Sequence, residues 1–116
     1  MFNFEKLEVW QKSISYADLV YQPTRNFPLD ERFGLTNQVR RAAVSIFANI
    51  AEGSARPPAD LAKFLGYAAG SLYETITQAT IARNQGLLAA EDYQRLYAQG
   101  DEIARMLSGL RKALGE

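Results

Sequence analysis

Apolar residues recur every three or four positions through four long stretches of the chain. That is the spacing of amphipathic helices, not the alternation of strands. The first stretch, about Leu7–Gln22, places Leu7, Trp10, Ile14, Ala17 and Val20 or Tyr21 on one face. The second, Leu35–Glu52, carries a stripe of Leu35, Val39, Ala42, Ile46 and Ile50. The third follows Pro57-Pro58 and aligns Leu61, Phe64, Leu65, Ala68, Leu72, Ile76 and Ala79. The fourth starts near Ala90-Glu91-Asp92 and shows Tyr93, Leu96, Ile103, Met106 or Leu107, Leu110 and Leu114. Pro23 and Pro28, then Gly53 with Pro57 and Pro58, then Asn84-Gln85-Gly86 punctuate the gaps. Gly53 suits a carboxy-terminal cap of the second helix. The start of that helix has two readings, since Asp30 and Glu31 suit a first turn and Gly34 with Thr36 a later one. Four such helices joined by short links predict an all-α, up-down-up-down four-helix bundle, one domain over residues 1–116. Its predicted core includes Trp10, Leu35, Val39, Ile46, Leu65, Leu72, Ile103 and Leu107.

The first and fourth helices read as surface helices, with i,i+4 charge pairs Glu8/Lys12, Glu91/Arg95 and Asp101/Arg105. The second does not. From Ala42 to Ala51 it holds no charge, and Val44 and Ala48 point away from the core stripe. The third has a similar stretch, Leu65–Tyr73, with small Gly66 and Gly70 beside Tyr67 and Tyr73. A helix apolar on all sides is normally buried on all sides. Val44, Ala48, Tyr67 and Tyr73 are therefore the expected contacts of a further protein interface, with an alanine-rich exposed surface as the plainer alternative.

Composition then removes several chemistries. The 116 residues include neither Cys nor His, so thiolate sites, disulfides and the commonest general base and metal ligand are absent. No cofactor is expected. Lys+Arg and Asp+Glu both number 13, giving zero formal net charge and none of the overall basicity of a dedicated nucleic-acid binder. Charges at Glu5, Lys6 and Glu8 leave no signal segment, and no uncharged run is long enough to span a bilayer. The expectation is a soluble cytoplasmic protein with no membrane contact.

A polar stripe of Gln38, Arg41, Ser45, Asn49 and Glu52 flanks the core face of the second helix, and Ser71, Glu74 and Gln78 flank that of the third. The preferred reading is a hydrogen-bonded structural network holding the helices in register, with Arg41 meeting Glu74. A ligand-binding strip, paired catalytic carboxylates Glu52 and Glu74, or a carboxylate metal site are the alternatives. Helical di-metal bundles ordinarily use Glu-x-x-His motifs, which a chain without His cannot supply.

Several segments resemble one known family. They are Phe4-Glu5-Lys6-Leu7-Glu8-Val9-Trp10-Gln11, Phe27-Pro28 with Gly34-Leu35-Thr36, and Gln38-Val39-Arg40-Arg41-Ala42-Ala43. Ser45-Ile46, Asn49-Ile50-Ala51-Glu52-Gly53 and Ala69-Gly70-Ser71-Leu72-Tyr73-Glu74 complete the pattern. In this order they resemble the four-helix-bundle proteins encoded by intervening sequences in bacterial 23S ribosomal RNA genes, a family that also takes in the accessory variability protein of diversity-generating retroelements. The resemblance implies a four-helix bundle, a homopentameric ring and no established enzymatic activity. It also implies nucleic-acid association, best supported for strongly basic members. This chain departs from the pattern at Phe47, where Pro is usual, and at Ile76, where a second acidic residue often follows Glu74. It is also neutral. A more regular second helix and a weaker two-carboxylate arrangement follow from the first two departures. The functional expectation is a non-enzymatic, self-assembling scaffold. The alternative is a nucleic-acid-binding module, of weak affinity, that uses Arg40, Arg41, Arg56 and Lys63 as a small patch repeated around the ring.

Overall fold

A computed structural model describes residues Met1–Glu116. Its four helices are α1 (Glu8–Thr24), α2 (Leu35–Ser54), α3 (Pro58–Asn84) and α4 (Ala90–Ala113), with short 3-10 turns at Asn3–Lys6 and Leu29–Glu31. The bundle measures 43 × 22 × 21 Å. Each helix packs on the next, most extensively α2 on α3, and α1 closes the square against α4 while the diagonals stay apart. The up-down-up-down arrangement follows from the short links.

Local chemistry sets the boundaries. Pro58 occupies the first position of α3, where its missing N–H costs nothing. Gly86, at φ 76°, ends α3: its N–H donates to the Arg83 carbonyl and that of Leu87 to the Ala82 carbonyl, a paired closure that needs the left-handed backbone. At the start of α2 the later of the two readings holds. Asp30 and Glu31 sit in a separate turn, and the Glu31 carboxylate accepts from the Leu35 N–H at 3.3 Å. Helix α2 then runs unbroken through Phe47.

Three expectations are corrected. The buried face of α1 is Val9, Ser13, Tyr16, Ala17, Val20 and Thr24, so Leu7, Trp10 and Ile14 flank the core instead of forming it. Polar Ser13 and Thr24 enter the core because their hydroxyls donate to the carbonyls of Val9 and Val20, at 2.7 and 2.8 Å. Leu35 is likewise only partly buried, whereas Val39, Ile46, Leu65, Leu72, Ile103 and Leu107 are core, with Leu107 rather than Met106 turned inward.

Gly53 is not a cap. It lies inside α2, buried, where a Cβ would stand 2.6 Å from the Phe64 Cβ, so its missing side chain sets how closely α2 and α3 approach.

The third correction concerns surface ion pairs. Lys12 reaches Glu102 across the α1–α4 seam at 2.6 Å instead of Glu8, and Arg95 takes Asp92 at 3.1 Å instead of Glu91. Only Asp101/Arg105 forms as its spacing predicts.

Candidate functional site

The flank of α2 that faces α3 carries the polar stripe. Gln38, Arg41, Ser45 and Glu74 line one open groove together with Asn37 and Ala42. The bonds within it are local. The Asn49 side-chain amide donates to the Ser45 carbonyl at 2.8 Å, and the Gln78 amide to the Glu74 carboxylate at 3.2 Å. Glu52 pairs with Arg56 one turn on, and the Ser71 carbonyl accepts from the Thr75 hydroxyl. Arg41 and Glu74 are both exposed and make no ion pair, which corrects the expected bridge. Two exposed side chains on neighbouring helices gain little from a fixed salt bridge and lose rotamer freedom in forming one. No group of three or more carboxylates converges.

The four candidate nucleic-acid contacts separate into two pairs. Arg40 and Arg41 line a groove between the end of α1 and the start of α2. Arg56 lies beyond the opposite end of α2, roughly 20 Å away at 1.5 Å per residue. There its guanidinium covers the Phe64 ring at 4.8 Å and pairs with Glu52 at 3.2 Å. Lys63 stands exposed near that second end, on the first turns of α3.

The groove beside Arg40 and Arg41 also contains Tyr21 and Thr36, which the sequence assigned only to helix packing and helix start, together with Arg32 and Phe33. Arg40 is clamped there. Its Nε donates to Thr24 Oγ1 at 2.8 Å, an Nη donates to the Tyr21 carbonyl at 3.4 Å, and the guanidinium lies 4.5 Å from the centre of the Tyr21 ring. Adjacent Arg32-Phe33 and Arg40-Arg41, flanking the start of one helix, were the available signal.

The expected interface residues are outward-facing and fall on different sides of the bundle. Val44 is half-buried at the edge of the arginine groove, and Ala48 is exposed one turn on. At 100° per residue, Ala51 continues the same outer face of α2. Tyr67 packs edge-on to Phe64, with ring centres 5.4 Å apart, beside the α2–α3 seam. Tyr73 belongs to the other edge. With Ile76, Tyr97 and Ala104 it lines an apolar groove of about 290 Å³ between α3 and α4, and 61% of Tyr73 and 55% of Tyr97 are exposed. No helix is long and apolar enough to cross a membrane.

A family model described as 23S rRNA-intervening sequence protein matches residues 5–109. The fold is similar to the crystal structure of a protein of unknown function from the S23 ribosomal protein family of Bacteroides thetaiotaomicron VPI-5482. The two are 25% identical, with a TM-score of 0.81, over 90% of this chain and 98% of that one. No curated protein matches the chain.

Proposed function

The chain belongs to the 23S rRNA-intervening sequence protein family, and from that premise we propose that it is a non-enzymatic scaffold assembling into a closed ring of five identical subunits. The number five comes from the family resemblance. The observation that carries self-assembly is the presence of two unlike apolar surfaces on different sides of one small bundle. One is the outer face of α2 around Val44 and Ala48. The other is the tyrosine-lined groove between α3 and α4. In the cyclic order of the helices these edges are not neighbours on the same surface, so a subunit can offer one to the copy before it and the other to the copy after it. Unlike surfaces meeting head to tail generate rings when the rotation closes, whereas a two-fold dimer would need one self-complementary patch. Tyrosines suit such a contact because the ring buries while the hydroxyl stays wet.

Complementation tests this. Val44→Glu damages one surface and Tyr73→Glu the other. Each variant alone is expected to run as a small species, and an equimolar mixture is expected to form a heterodimer through its one intact pair of surfaces. If the mixture stays monomeric while both variants are folded, the head-to-tail pairing is wrong.

A further inference from the structure

The groove between the end of α1 and the start of α2 encloses about 610 Å³, within the range of small-molecule sites. Three arginines line it, no carboxylate does, and none of the three makes an ion pair. Zero net charge for the whole chain thus conceals a local excess of positive charge. Arg40 is fixed by Thr24 and the Tyr21 carbonyl, which orient its guanidinium without neutralising it. Arg32 lies 4.9 Å from the centre of the Phe33 ring, and 83% of Phe33 is exposed.

The first turn of α2 adds donors. Glu31 occupies the Leu35 N–H, but the N–H groups of Thr36 and Asn37 have no acceptor. The Thr36 side chain lines the same groove, is only 8% exposed, and its hydroxyl has no hydrogen-bond partner. A buried hydroxyl left unpaired carries a desolvation cost that a ligand acceptor would remove. The hydroxyl is covered in the free chain, and a helical Thr reaches a second χ1 rotamer readily.

Free amides at the start of a 20-residue helix, an unused hydroxyl and uncompensated guanidiniums are what a phosphate oxygen requires. The exposed Phe33 ring, with Arg32 over one face, offers its other face as a stacking surface beside them. We propose that this groove binds a small phosphomonoester carrying a flat ring, of the nucleoside monophosphate class. Its phosphate meets Thr36, Asn37, Arg40 and Arg41, and its ring lies on Phe33.

Titration calorimetry on the full chain at low ionic strength, with AMP, adenosine and inorganic phosphate as separate titrants, tests this. AMP is expected to saturate one site per chain, more tightly than inorganic phosphate, while adenosine gives no saturation. Arg41→Ala, at an exposed position that folding does not need, should weaken AMP by about tenfold. Arg56→Ala, the same charge change at the far end of the bundle, should leave it unchanged. Thr36→Val should weaken AMP without lowering the thermal midpoint, because the hydroxyl gives up no partner in the free protein. Absence of AMP saturation at millimolar concentration overturns the proposal, as does binding that survives both Arg41→Ala and Thr36→Val. Tight binding of single-stranded RNA without terminal phosphates, undisplaced by AMP, also overturns it and makes the groove part of a nucleic-acid interface.

Discussion

Replacing Gly53 by Ala tests the close approach of α2 and α3. An ideal Cβ there stands 2.6 Å from the Phe64 Cβ and 3.2 Å from Leu61 Cδ1. Carbon atoms rest at about 3.5–4.0 Å, so the first contact falls short by about 1 Å. Leu61 can move its methyl by changing rotamer. The Phe64 Cβ cannot, because it is fixed to the α3 backbone, and the helices themselves must part. Overpacking of this kind costs about 1–3 kcal/mol, and the better helix propensity of Ala returns about 1. The expected net loss is up to about 2 kcal/mol, against a stability of roughly 5–15 for a domain of this kind. Urea denaturation followed by circular dichroism, at one fixed protein concentration, measures it. Gly109→Ala is the control: nothing lies within 4 Å of its Cβ, so the same exchange should raise stability by up to about 1 kcal/mol. A double-mutant cycle with Phe64→Ala sharpens the test. That change removes the ring but keeps the Cβ, so most of the Gly53→Ala penalty should persist. A Gly53→Ala protein that gains stability as the Gly109→Ala control does, or a penalty abolished by Phe64→Ala, would refute the geometry.

Three further variants have defined outcomes. Tyr16 is wholly buried and its hydroxyl has no partner, so Tyr16→Phe should raise stability by about 1 kcal/mol, read as a higher thermal midpoint. Burial, and secondarily Tyr93, holds the Tyr16 pKa above its ordinary value of 10.0. The unfolded chain therefore loses this proton first, stability falls as pH rises above 10, and Tyr16→Phe should flatten that alkaline limb in denaturation curves. Ile46→Asp, at a position with no exposure, should unfold the protein by circular dichroism, because an unpaired buried carboxylate costs several kcal/mol. Glu74→Gln should change stability by less than about 0.5 kcal/mol in urea titration, since Glu74 is exposed and bonds only to Gln78.

The helices and their breaks were legible because Pro, Gly and apolar spacing act locally. Pro58 and Gly86 mark the boundaries of α3 as their chemistry requires. What failed was long-range. Two stripes one or two residues apart fit α1, and apolarity favoured the one with Trp10 and Ile14. The fold buries the one with Ser13 and Thr24, whose hydroxyls are satisfied by their own helix. Gly53 looked like a cap because it precedes the prolines, and only the position of Phe64 reveals its packing role. Lys12 chose Glu102, far away in sequence, over Glu8 on its own helix. The arginine groove was half visible. Arg40 and Arg41 stood out as adjacent charges, but Tyr21, Arg32, Phe33 and Thr36 join them only when the link after α1 folds back. The outward direction of Val44 and Ala48 did follow from the 100° geometry, although the pattern could not place Tyr73 on a separate edge beside Tyr97.

Light scattering coupled to size exclusion, at micromolar protein, tests self-assembly most directly. Five copies of a 13.0 kDa chain weigh about 65 kDa, and that mass, independent of dilution over the elution peak, is the expected result. A dimer or tetramer would refute the ring of five while leaving the apolar surfaces in use. A mass of 13.0 kDa would contradict the scaffold proposal outright, because the α2 face and the tyrosine groove would then remain in water.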